Sequence, residues 1–161
     1  MSSFVSIRER KWSRAVRQRL ERQFRDNKRY RYVIYEAEKH GLQAEPLYEL
    51  QRDNAIRYSS DYLSLGDKIC RIYRVSVDRF RFRVAGLESA EFAIFEHSLT
   101  DFSREYFVVR SVAIREVAGS EEHLLMVLGL ETKSRLVRVP VLNCWVYRGR
   151  WQSLQVQSAA L

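Results

Sequence analysis

Two periods divide this chain. Before Gly41 there is no glycine or proline, and apolar residues recur every three or four positions in a polar background. Trp12, Val16, Leu20 and Phe24 stand at i, i+4 spacing, which lays a narrow apolar stripe along one side of a helix. Tyr30, Val33, Ile34 and Ala37 resume the period after Asp26-Asn27, where the polar pair marks a break between two helices if the rod is not continuous. His40-Gly41 reads as a C-terminal cap. Pro46 suits the first turn of a third helix, carrying Leu47 and Leu50 and fading at Tyr58-Ser59-Ser60-Asp61.

From about Lys68 the period falls to two. "VDRFRFRVA" places Phe80, Phe82 and Val84 on one face of a strand and Arg79, Arg81 and Arg83 on the other. Phe92, Phe95, Leu99 and Phe102 then return to helical spacing behind Ser89, which predicts a short capped helix. Four strand candidates follow: "EYFVVRSVAIREV", "HLLMVLGLET", "RLVRVPVLNCWVY" and "RWQSLQVQSA", the first two joined by the polar turn "AGSEE". The last two fold back at Arg148-Gly149, setting Val141 opposite Val156 and Val146 opposite Trp151 if the loop has two residues, a turn in which Arg148 needs a positive φ. Both faces of that hairpin are half apolar, as in a sheet covered on both sides.

Length and composition change this picture little. The 161 residues, 46% hydrophobic and 12% aromatic, suffice for one domain with a core. The longest apolar run, Leu124 to Leu130, falls far short of the roughly 20 residues of a membrane span. Cys70 and Cys144 lie far apart with no partner at metal or redox spacing, so we expect no metal, no cofactor and a reducing intracellular compartment, the cytoplasm or the mitochondrial matrix.

Charge changes it more. Residues 1–32 hold eleven Arg or Lys against three acids, while the other 129 carry 17 of each sign, so the first segment accounts for the whole net charge of +8. This divides the chain into a basic helical arm, 1–32, and an α+β domain, 33–161. In the arm Arg8, Arg10, Lys11, Arg14, Arg17, Arg22 and Arg25 alternate with Trp12, Phe24, Tyr30 and Tyr32, a pairing of phosphate-neutralising cations with rings that stack on unpaired bases. The same pattern also fits an amphipathic helix on an anionic membrane or an import presequence. A second candidate is the ladder Arg79, Arg81 and Arg83, joined by Arg71 and Arg74. Alternate strand residues lie roughly 6.5 to 7 Å apart, close to the spacing of phosphates, although arginines on a wet sheet face paired with local acids have the same pattern.

Acids and histidines offer less. On the predicted helix His97 and Asp101 stand at i, i+4 away from Phe92 and Phe95, a solvated pair; His123 falls in a turn, exposed, and His40 sits beside the cap. There is no Ser-His-Asp arrangement, no glycine-rich phosphate loop and no metal-ligand cluster, so no catalytic residue is assigned.

The helical start, the long strands and the closing pattern of Val141, Trp145, Tyr147, Gly149, Arg150, Trp151, Gln155, Gln157 and Ser158 resemble the nuclear transport factor 2-like superfamily, in particular its SnoaL-like and ketosteroid-isomerase-like members, over residues 88–159. The resemblance implies an α+β fold in which N-terminal helices pack on a strongly bent antiparallel sheet forming a cone. Glu131, Asn143, Trp145 and Trp151 would line its pocket. The basic first 40 residues depart from that family, and residues 61–87 hold more strand than the pattern places. We therefore expect a non-catalytic binding or scaffolding module, docked on RNA or an RNA-protein assembly through the basic helix, with an anionic membrane surface as another partner and a second copy pairing through the sheet. The alternative is a small-molecule lyase or isomerase, in which burial tunes a carboxylate into a base. A buried carboxylate within hydrogen-bond reach of Tyr or His would favour the enzyme, and a plugged or wholly apolar interior the scaffold.

Overall fold

Residues 4–6, 13–50, 56–130 and 138–155 are described by the computed structural model. Helix α1, Arg14–Arg25, begins at Ser13, whose hydroxyl accepts the Val16 amide at 3.2 Å. Its apolar stripe is not free, because Leu20 and Phe24 are buried against the rest of the molecule. The chain breaks at Asp26-Asn27 as the sequence suggests, and α2, Arg31–Lys39, buries Val33, Ile34 and Ala37. Gly41 closes it at φ +79°, a conformation costly for any residue with a Cβ.

Three predicted elements change type, each for a physical reason. Pro46 does not start a helix: Ala44–Leu50 is strand β2, antiparallel both to β1, Phe4–Ser6, and to β3, Ile56–Leu65. The register shifts just after this proline, where an irregular ladder accommodates a residue without an amide hydrogen. Residues 92–102 are not a helix either. Phe92–Ser98 is strand β6, with Phe92 and Ile94 packed on one side and Ala93 and Phe95 on the other. A strand buried on both faces loses its alternation, and the helical spacing of its phenylalanines is incidental. Beyond it, β7, Arg104–Arg110, gives way to helix α3, Ser111–Ala118, where Ile114 and Ala118 bury one helical face.

The C-terminal hairpin does not form. Strand β9 is only Val141–Asn143, and 3₁₀ turns follow at Cys144–Tyr147 and Trp151–Leu154. Gly149 takes the positive φ, +65°, while Arg148 stays at −62°, so the bend is relieved at the residue that tolerates it. Val146 is exposed and Trp151 buried, and Val156 lies outside the described residues.

The larger sheet runs β1-β2-β3-β4-β6-β7, where β4 is Lys68–Val75. It is mixed rather than antiparallel, because β4 and β6 are parallel neighbours. Between them the chain leaves for a second sheet, β5-β8-β9, made of Arg79–Arg83, His123–Val127 and β9, with β8 and β9 parallel. Cores form on both faces of the large sheet. Phe24, Tyr30, Val33 and Ile34 cover Cys70, Ile72, Ile94 and Val108 on one face, closed by Trp151 and Leu154. Phe82, Leu124, Met126 and Ile114 cover Ala93, Phe95, Phe107 and Val109 on the other. The fold is α+β in three layers: α1 and α2, the large sheet, then the small sheet with α3.

Candidate nucleic-acid interface

A bulge builds the site. Between the pairs Pro46–Leu63 and Tyr48–Tyr58, residues 59–62 of β3 stand opposite Leu47 alone. The extra length is pinned by the Tyr62 amide on Ser59 Oγ at 3.3 Å and by the Tyr30 hydroxyl on the Ser59 carbonyl at 3.1 Å. It brings Asp61 to the sheet surface, where one carboxylate oxygen accepts from Arg29 at 2.9 Å and pairs with Arg71 at 3.1 Å. Arg71 also lies over the rings of Tyr62 and Tyr73, its guanidinium carbon 5.2 and 4.6 Å from their centroids, so it is held in place rather than solvated freely.

Strand β5 crosses beside this cluster. Phe80 and Phe82 face the large sheet and pack with Tyr73 and Phe95 at centroid separations of 4.9 to 6.5 Å. With those rings inward, Arg81 and Arg83 must point to water, and both are exposed with no carboxylate partner among the described residues. Arg29, Arg71, Arg74, Arg81 and Arg83 thereby line one groove of about 440 Å³, with Tyr73 and Phe80 in its wall. A hollow of about 400 Å³ continues it past Arg29 and Arg74 to Ser76 and Ser98. Two carboxylates face the five guanidiniums: Asp61, shared by two of them, and Glu96, 3.4 Å from Arg74. The balance is positive.

The other expected cations lie apart. Arg79 does not line this groove. Arg14, Arg17 and Arg22 are exposed along α1, without carboxylate partners among the described residues, and Arg25 is paired with Glu38 at 2.5 Å. Arg8, Arg10 and Lys11 lie outside the described residues, as does Glu131. Asn143 caps a 3₁₀ turn by accepting the Trp145 amide at 2.9 Å. Trp145 packs with the core under the small sheet, whereas Trp151 packs with the helix-side core, between His40 and Tyr106 at 5.9 and 5.5 Å.

Histidine and acid placements differ from expectation. His97 is not half of a solvated pair: on strand β6 it is buried, its Nδ1 3.7 Å from Glu105, which also binds Arg148 at 2.9 Å, while Asp101 is exposed in the β6–β7 turn. His123 is half-buried at the start of β8 rather than exposed in a turn. Nothing in the residue pattern singles out Glu96, whose side chain is only 1% exposed. The Tyr106 hydroxyl donates to its Oε2 at 3.0 Å, and Arg74 and Arg104 approach its other oxygen, Oε1, at 3.4 and 3.8 Å. Burial raises its pKa despite both guanidiniums, and raises that of Tyr106 with it. Tyr106 and Arg104 line the neighbouring pocket and Glu96 does not, so the carboxylate is sealed behind them.

Burial likewise pushes the Cys70 thiol up, and that of Cys144 to about 12, which leaves both protonated and unreactive at neutral pH. Among the described residues no group of His, Cys, Asp and Glu could hold a metal ion, and no helix is long and apolar enough to cross a membrane. No protein-family model, curated protein or solved structure matches the chain.

Proposed function

We propose that the protein is a non-catalytic binding module that seats the phosphate backbone of RNA, alone or within an RNA-protein assembly, in the arginine groove formed by β4, β5 and the connection between α1 and α2. One observation carries this reading: arginines from three separate segments converge on one groove, and two of them, Arg81 and Arg83, face it without a counter-ion among the described residues. A guanidinium matches a phosphate by forked hydrogen bonds as well as by charge. The exposed arginines of α1 extend the positive field and speed encounter with a polyanion.

Salt titration of binding to single-stranded RNA tests the proposal. Four or five phosphate contacts give a log-log slope of about −3, at about −0.7 per contact. Replacing Arg81 and Arg83 together by Glu should flatten that slope by roughly two contacts. An unchanged slope would move the contact surface to α1, and binding to anionic vesicles but not to RNA would make α1 a membrane helix. The second reading, a lyase or isomerase working in a nuclear transport factor 2-like cone, draws support from the buried Glu96 beside Tyr106. It requires that sealed carboxylate to become accessible, and a Glu96→Gln variant that kept all turnover of a candidate substrate would end it.

A further inference from the structure

Beyond the end of the groove lies a pocket of different character. About 580 Å³ in volume, it opens between the first turns of α2 and the β6–β7 turn, and its walls include Arg31, Tyr32, Tyr35, Phe102 and Arg104. Phe102 is 97% exposed at the tip of that turn and Tyr35 is 63% exposed. The turn is no loose end. The Leu99 amide donates to the Ser103 carbonyl at 2.9 Å, and the Phe102 amide to Thr100 Oγ1 at 3.3 Å. One exposed ring would be ordinary, but Phe102 and Tyr35 present two on the same opening, a wall available to a planar ligand. In the same wall the Arg104 guanidinium carbon lies 3.5 Å from the Tyr32 ring centroid, a close cation–π contact.

The pocket and the groove share no lining residue but are neighbours through Glu96. Arg74 at the groove's edge and Arg104 in the pocket wall reach the same oxygen of Glu96 from opposite sides, and Arg29 in the groove precedes Arg31 in the pocket by two residues. A single strand whose phosphates follow the arginines thus brings a neighbouring base to the aromatic walls. Glu36 and Asp101, also lining the pocket, are acceptors for the exocyclic amine of such a base.

Resting on the groove reading, we infer that this pocket is a nucleobase site, in which an unpaired base inserts between Phe102 and Tyr35 while its flanking phosphates lie on Arg74 and Arg31. The protein then favours single strands, because a paired base would first have to be unpaired and unstacked.

The test uses the full chain and an oligocytidylate RNA of roughly ten nucleotides, within the range of single-strand sites. Its controls are the same strand with abasic riboses and an RNA duplex of equal length. Phe102→Ala and Tyr35→Ala should each weaken oligocytidylate binding roughly tenfold, a typical stacking loss, with the salt slope unchanged because no phosphate contact is removed. Neither should alter binding of the abasic strand, and both side chains are exposed enough that Tm should not move. If both variants bind oligocytidylate as the parent does, or lose the abasic strand equally, the base pocket is overturned while the groove stands. If the parent protein binds neither oligocytidylate nor the abasic strand at low salt, the groove falls and the pocket with it.

Discussion

Asp61 and Glu96 each gather two arginines, and they do so in opposite surroundings. Asp61 rides on a bulge with its side chain 39% exposed, between Arg29 and Arg71, whereas Glu96 stands in the middle of a strand, dry, between Arg74 and Arg104. In water the pair attraction is screened and the cluster stays adjustable. In the interior each charge needs its partner, and the cluster becomes a fixed joint between β4, β6 and β7. In the wet arrangement Arg29 stays half-exposed beside a held Arg71. In the dry one Arg104 is fixed, while Arg74 is 46% exposed and still lines the groove.

The sharpest way to break the comparison is at the dry cluster's support. Trp151→Ala removes the ring against Tyr106 and should cost about 4 kcal/mol in denaturant unfolding, the usual loss for a buried aromatic. A loss below about 1 kcal/mol would mean that the helix-side core closes without it. Glu96→Ala should cost about 3 kcal/mol, because the buried Tyr106 hydroxyl loses its acceptor and Arg104 its carboxylate.

Protonation gives a finer cut at the same joint. With its folded pKa above the ordinary carboxylate value, Glu96 binds its proton more tightly in the native state. Its contribution to stability is therefore greatest below the unfolded pKa of about 4.3 and declines as pH rises towards the folded value. Glu96→Gln should remove that decline from a pH series of unfolding midpoints. A series unchanged by the substitution would place the carboxylate in contact with water.

The smallest effect belongs to the wet cluster. Asp61→Ala should change stability by no more than about 1 kcal/mol, and by freeing Arg29 and Arg71 it should tighten RNA binding a few-fold. Weaker binding in that variant would show that Asp61 aims the two arginines rather than competing for them.

What could be read from the residues follows the same division. The two N-terminal helices, their break and the Gly41 cap were legible because they depend on local period and local caps. Strand β5, with its rings on one face and its arginines on the other, was legible for the same reason. Strand β6 was not, since burial on both faces erases the period that identifies a strand. The hairpin failed because Trp145 and Trp151, alike in sequence, are claimed by different faces of the large sheet. The strand pattern groups Arg71, Arg74, Arg81 and Arg83, but not Arg29 and Asp61, since a bulge in β3 and a contact 32 residues apart carry no local signal. Phe102, inside "SLTDFS", continues the helical spacing of Phe92, Phe95 and Leu99, which hides that it belongs to a turn.

The excursion of β5 into the second sheet has a consequence for the newly made chain. All five arginines of the groove have been synthesised by residue 83, yet β5 is an edge strand whose ladder partner is β8, at His123–Val127. A ribosome must add some forty further residues before Arg81 and Arg83 can be fixed beside Arg71. Pairing across such a separation is slow to form, because the loop must close before the contacts reward it. A nascent chain therefore carries the cations without the grip, and the capacity to hold a polyanion arrives together with the completed fold.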